Sequence, residues 1–146
     1  MLTNRMNTEI STEASDLRMA TFRFARRLRS QRAVDTMSDG QFAVLAALSV
    51  HGPHTLGELA ERERVSAPSM NRTVNCLEES AYLVRTPDDD DRRKVNIALT
   101  ESGREVVTET VRRRDQWLVD ILEGLDDDQR HILAQAAVIM GEVAAR

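Results

Sequence analysis

The residues best equipped for recognition chemistry lie in the stretch Ser66-Ala67-Pro68-Ser69-Met70-Asn71-Arg72-Thr73-Val74-Asn75. Ser66 can cap a helix, and Pro68 is tolerated in a first turn because the N–H it lacks has no partner there. With Met70 as reference and about 100° per residue, Val74 falls at about 40° and Leu77 at about 340°, which defines a buried stripe. Pro68, Arg72 and Asn75 fall at about 160°, 200° and 140°, on the opposite face. Arg offers paired donors to O6 and N7 of guanine, and Asn pairs bidentately with adenine, so such a face suits the major groove of a duplex. The competing reading is a plain solvated face on a surface helix.

A second group is Arg85-Thr86-Pro87-Asp88-Asp89-Asp90-Asp91-Arg92-Arg93-Lys94. An Arg at a hairpin tip can enter a minor groove while a neighbouring carboxylate holds its guanidinium, and Asp91 and Arg93 have the spacing for that. The competing reading is a solvated charge run. Arg62 to Lys94 contains seven basic and seven acidic residues, so placement rather than net charge must attract a polyanion. The whole chain has 20 basic and 24 acidic residues and a net charge of −4, which excludes non-specific polyanion binding by bulk charge.

Other chemistries find less support. Cys76 sits at about 240° on the same helix; an inert thiol is the simpler reading and an oxidant sensor the alternative. His51-Gly52-Pro53-His54 has the look of a metal pair, but three His and one Cys do not make a zinc set, and adjacent carboxylates from Asp88 to Asp91 rarely converge on one ion. No metal or cofactor is expected. No nucleophile–base pair, phosphate loop or carboxylate pair points to an enzyme.

The elements that must position these groups follow from periodicity. The chain has 146 residues, 41% hydrophobic but only 3% aromatic, which favours helices packed with Leu, Val, Ala and Met. Residues 1 to about 12 read as a loose polar arm. Leu17, Ala20, Phe24 and Leu28 recur at helical spacing in a first helix ending before Ser38. Its arginines look like a transit peptide, but Glu9, Glu13 and Asp16 argue against one, and no signal peptide is expected. Ser38-x-x-Gln41 has the form of a capping box before a second helix, and Thr55-x-x-Glu58 opens a short third. The fourth carries the candidate recognition face. Tyr82-Leu83-Val84 and the alternating Val95, Ile97 and Leu99 form a hairpin. Thr100 caps a fifth helix and Asp126-x-x-Gln129 a sixth. The predicted order is α-α-α-α-β-β-α-α, mainly α with a small β-hairpin wing, which is the layout of a winged helix-turn-helix. The longest apolar run, Phe42 to Val50, is well short of the roughly 20 residues of a membrane span. The single cysteine suits a reducing cytoplasm, and a cytoplasmic location is expected.

The chain resembles the MarR family of regulators from Leu17 to the C-terminus. The resemblance is carried by Leu56-Gly-Glu-Leu-Ala60, Val65-Ser66-x-x-Ser69-x-x-Arg72, Leu77-Glu78, Asp91-Arg92-Arg93 and Leu99-Thr100-x-x-Gly103. It implies a homodimeric DNA-binding transcriptional regulator, with recognition-helix contacts at Ser66, Pro68, Ser69, Asn71, Arg72 and Asn75. Wing contacts are placed at Arg85, Asp91, Arg92 and Arg93, where the Asp91–Arg93 pair supports insertion of the Arg. One departure is Ala81, where the family has Gly. A left-handed Ala costs about 1 kcal/mol, so either Ser80 to Tyr82 turns differently or the strain is accepted.

The resemblance implies a single domain over 1–146, with a DNA-binding lobe over 36–100 and a dimerisation region of 13–33 with 101–146. A chain of this size has little core to cover the apolar stripes of its terminal helices, which also calls for a partner. Relatives are commonly repressors released by a small amphipathic or phenolic ligand. Phe24, Phe42 and Trp117 are the residues named for such a pocket. A winged-helix protein-interaction module is the alternative of another class; it would show no salt-dependent duplex binding.

Overall fold

From Leu2 to Arg29 the chain has neither Gly nor Pro. In the computed structural model, which describes residues 2–146, that stretch is one helix, α1 (Leu2–Arg29). The expectation of a loose arm is therefore corrected for residues 2–12; Met1 lies outside the described residues. Leu2, Met6 and Ile10 recur at i, i+4 and i+8, a helical spacing that leads into Leu17, and no Gly or Pro interrupts it. The hydroxyls of Thr8 and Thr12 donate back to the Asn4 and Thr8 carbonyls at 2.9 and 3.0 Å. α1 also stops at Arg29 rather than near Ser38, with Arg26, Arg27 and Arg29 in its last turn at the negative end of the helix dipole.

The chain forms two compact units, residues 31–113 and residues 1–30 with 114–146. The first contains α2 (Asp39–His51), β1 (His54–Thr55), α3 (Leu56–Glu63), α4 (Ala67–Glu79), β2 (Leu83–Pro87), β3 (Val95–Leu99) and the start of α5 (Glu101–Glu123). Ser38 opens α2 with the full capping box: its Oγ accepts from Gln41 N, and its own N–H donates to Gln41 Oε1. β2 and β3 make the expected antiparallel hairpin, in register from Leu83↔Leu99 to Pro87↔Val95. β1 was not expected. It pairs His54 with Ile97 and Thr55 with Asn96, giving the sheet order β1-β3-β2. Two residues are too few to show an alternation.

The core of this unit joins Val44, Leu45 and Leu48 of α2 to Leu59 of α3, to Met70, Val74 and Leu77 of α4, and to Leu83, Ile97 and Leu99 of the sheet. Val106 and Val107 of α5 belong to the same cluster. Thr110, also buried, is satisfied by the Ala33 N–H, which donates to its Oγ1 at 3.1 Å.

The second unit holds α1, the end of α5 and α6 (Asp127–Ala144). Asp126 and Gln129 form the reciprocal capping box that opens α6. The Phe24 and Trp117 rings lie 5.6 Å apart at 54°, and the Arg27 guanidinium sits 5.9 Å from the Trp117 ring centre. α6 contains no buried residue.

Candidate nucleic-acid interface

The turn that sets α4 against α3 is built from backbone bonds. Val65 N donates to Ala60 O and Arg64 N to Glu61 O, the paired pattern of a Schellman motif, with Arg64 in the left-handed region at φ 55°. Ser66 then caps α4, its Oγ accepting from Ser69 N at 3.3 Å. Met70, Val74 and Leu77 are buried as the helical period requires, at 2%, 0% and 2% exposure. Ser66, Pro68, Asn71, Arg72 and Asn75 are exposed and Ser69 is half-buried. The Arg72 guanidinium bonds Ser69 Oγ at 3.1 Å, one turn back.

The other end of α4 is closed by a second Schellman motif: Tyr82 N donates to Leu77 O and Ala81 N to Glu78 O. Ala81 stands where a glycine would be unstrained, with φ 63°. Of the two expectations for this position, the strain is accepted. The turn is locked from the far side by Thr100, whose Oγ1 donates to Ala81 O at 2.6 Å and whose N–H donates to Tyr82 O at 3.1 Å. Thr100 Oγ1 also accepts from Gly103 N, capping α5. The approach is so close that a Cβ on Gly103 would lie 2.2 Å from Tyr82 O, which explains the glycine there.

Arg85 lies within β2 and not at the wing tip. Its guanidinium is laid on α4, donating to Asn75 Oδ1 at 2.9 Å, Asn71 Oδ1 at 3.1 Å and Glu78 Oε1 at 3.2 Å. The tip itself, residues 88–94, is organised by Asp88, which reads in the sequence as one of four solvated acids. Asp88 accepts from Asp90 N at 2.9 Å, Asp91 N at 3.3 Å and Asn96 Nδ2 at 3.1 Å. The Asp90 N–H, then the Asn96 amide, then the Asp91 N–H hold its carboxyl below the ordinary value of 3.8. A Pro-Asp start is the local signal that could have marked it, since Asp side chains bond backbone N–H groups two residues on.

Asp91 and Arg93 do meet, but not side chain to side chain. Asp91 Oδ1 accepts the Arg93 backbone N–H at 3.1 Å, so the carboxylate fixes the main chain, and among the described residues the guanidinium makes no ion pair. Arg92 and Arg93 are both exposed. Cys76 is exposed on α4, its sulfur accepting from Gln41 Nε2 at 3.2 Å, while Arg72 turns to Ser69 and not to the thiol. The His51 and His54 rings are 6.3 Å apart, but His54 turns Nδ1 to Gly52 O at 2.7 Å. Of the residues named for a ligand pocket, Phe24 and Trp117 pack together in the terminal-helix unit. Phe42 packs, half-buried, against the winged unit's own core.

A capped α3, a turn, an α4 with a polar exposed face and a hairpin carrying Arg92, Arg93 and Lys94 at its tip define a winged helix-turn-helix. The profile of the MarR family matches residues 37–95. An HTH-type transcriptional regulator of Mycobacterium leprae is 39% identical, over 89% of this chain and 91% of that protein. The HTH-type transcriptional repressor MdtR of Bacillus subtilis is 29% identical, over 74% and 68%. Among solved structures, a transcriptional regulator protein of Pseudomonas aeruginosa superposes with a TM-score of 0.83 at 28% identity, over 92% of this chain and 96% of that one. The chain belongs to the MarR family and is a DNA-binding transcriptional regulator, not an enzyme. Among the described residues no helix is long and apolar enough to cross a membrane.

Proposed function

We propose that the protein is a homodimeric, sequence-specific repressor that binds a pseudo-palindromic operator in the cytoplasm and releases it on binding a small, mainly apolar ligand. The observation that carries the dimer is the uncovered apolar surface of the terminal-helix unit. No residue of α6 is buried, with Ile132 62% and Ile139 60% exposed, while on α1 Leu17 and Phe22 are 59% and 64% exposed. A monomer would hold all of these in water, and a second copy of the same surface covers them with like chemistry. Two-fold symmetry then places two copies of α4 on half-sites about 34–36 Å apart.

In this reading Ser66, Pro68, Ser69, Asn71, Arg72 and Asn75 face the major groove. Arg92 and Arg93 reach the flanking minor groove, with Asp91 setting the backbone of Arg93. Repression is supported by the likeness to MdtR, which is named a repressor. Phe24 and Trp117, whose rings lie 5.6 Å apart, offer aromatic faces to a ring-bearing ligand. The test is titration of intergenic DNA beside the protein's own gene at several salt concentrations, with the mass of free protein and complex measured in parallel. A dimer whose affinity falls steeply with salt supports the reading. A monomer, or no saturable duplex binding, refutes it. Aromatic acids and phenols that lower operator affinity must themselves bind less tightly to the DNA complex, because coupling is reciprocal.

A further inference from the structure

Arg85 occupies the middle of β2, two residues from buried Leu83 and therefore on the same face of the sheet. That alternation aims it at α4, where Asn71, Asn75 and Glu78 stand at i, i+4 and i+7 on one stripe. One guanidinium nitrogen, Nη2, serves both Asn71 Oδ1 and Asn75 Oδ1, and Nη1 is anchored by Glu78 Oε1. A guanidinium carries five donors and no acceptor, so the atom each carboxamide turns toward it must be oxygen. The two amide nitrogens are turned away from the guanidinium, and among the described residues neither has a hydrogen-bond partner.

We infer that Arg85 is a positioning residue that sets the base preference of α4. An Asn reads adenine by presenting oxygen to N6 and nitrogen to N7 together. With both oxygens turned onto Arg85, each keeps one free lone pair in a plane set by the guanidinium, so Asn71 and Asn75 present their N–H donors first. Major-groove edges differ in how they meet a donor: guanine presents two acceptors, adenine and thymine one each, and cytosine only its own donor. The operator positions beneath Asn71 and Asn75 are then guanine before all others. This inference rests on the reading that α4 lies in the major groove.

The experiment selects bound sequences from randomised duplexes with the full-length chain, then with Asn71→Ala, Asn75→Ala and Arg85→Met. In the native protein, the positions whose preference disappears in the Asn variants are expected to be guanine. In Arg85→Met the same positions should shift toward adenine by about tenfold in relative affinity, with the other positions unchanged. A preference is a ratio of affinities within one sample, so loss of some protein to unfolding does not imitate it. A merely structural Arg85 would weaken binding to all sequences alike. Should Arg85→Met give no folded protein, Glu78→Gln loosens the guanidinium without truncating it and should move the same positions in the same direction by a smaller factor. Unchanged preferences in the Arg85 or Glu78 variant, while the Asn variants lose theirs, overturn the positioning role alone. Asn variants that leave every preference intact overturn the positioning role, and the major-groove reading falls with it if Arg72→Ala also leaves every preference intact.

Discussion

Replacing Ala81 with glycine should stabilise this protein, against the usual direction of an Ala-to-Gly change. Ala81 sits at φ 63° as the left-handed residue of the motif closing α4. A side chain there costs about 1–2 kcal/mol through the clash of Cβ with the following carbonyl. Ala81 is exposed, so deleting its methyl group forfeits no packing. The bonds to Glu78 O and from Thr100 Oγ1 are made by the backbone of Ala81 and survive the change. Against the relief stands the greater freedom of glycine in the unfolded chain, worth about 0.4–1 kcal/mol. The two ranges leave about 0–1.6 kcal/mol in favour of Gly, and the mid-value of about 0.8 kcal/mol is about 2–3 °C in Tm for a chain of this length. Ser80→Gly is the internal control: at φ −81° Ser80 has no left-handed strain to relieve, so the same substitution one residue earlier should lower Tm. Thermal melts at one protein concentration decide the matter. An Ala81→Gly protein that melts at or below the native temperature refutes the strain argument.

Gly103→Ala places a methyl 2.2 Å from Tyr82 O, a backbone atom with no room to yield, and should destabilise by about 1–3 kcal/mol or more in denaturant titrations; a neutral change would mean that the contact of α5 with the turn is looser than described. Arg93→Ala removes an exposed guanidinium and no core atom, so operator affinity should fall by about 1–3 kcal/mol at unchanged Tm, and undiminished affinity would remove the wing tip from the binding surface. The carboxyl of Asp88, followed by NMR titration, should protonate below 3.8, and Asn96→Ala should move it back toward that value. The folded-state pKa is depressed, so the stabilisation is complete above the unfolded value and is lost as pH falls through the folded one; a midpoint at or above 3.8 contradicts the tip geometry.

What could be read from the sequence is what lies within a turn or two of helix. The capping boxes Ser38/Gln41 and Asp126/Gln129 close over four residues, and the Met70, Val74 and Leu77 stripe repeats at the helical period. Both are fixed by local geometry, so residue identity is enough to show them. The rest depends on what the chain meets elsewhere. β1 exists only because β3 supplies His54 and Thr55 with partners more than 40 residues on. Arg85 reads as one more wing cation until the register Leu83↔Leu99 fixes which face of β2 meets α4. Even there a signal was present: alternation from an apolar Leu83 puts Arg85 on the inner face, and an arginine on an inner face needs acceptors. Ala81 was legible as a problem and not as its solution, because the lock supplied by Thr100 crosses 19 residues.

The same placements bear on the stretch from Arg62 to Lys94, which has as many acids as bases. Seven against seven treats every charge as equal, and the structure does not. Glu78 is paired with Arg85 on the stripe of α4 that also carries Asn71 and Asn75. The Asp88 carboxylate is turned onto two backbone N–H groups and an amide, and Asp91 onto the N–H of Arg93, so the dipoles of the tip offset part of their field. Arg72, Arg92 and Arg93 form no ion pair with any of them and are exposed. Glu78, Asp88 and Asp91 are thus engaged within the protein, while the guanidiniums of Arg72, Arg92 and Arg93 stay exposed to what approaches α4 and the tip. A charge-neutral segment can present a positive binding surface when part of its carboxylates are engaged internally and exposed guanidiniums are not ion-paired with them.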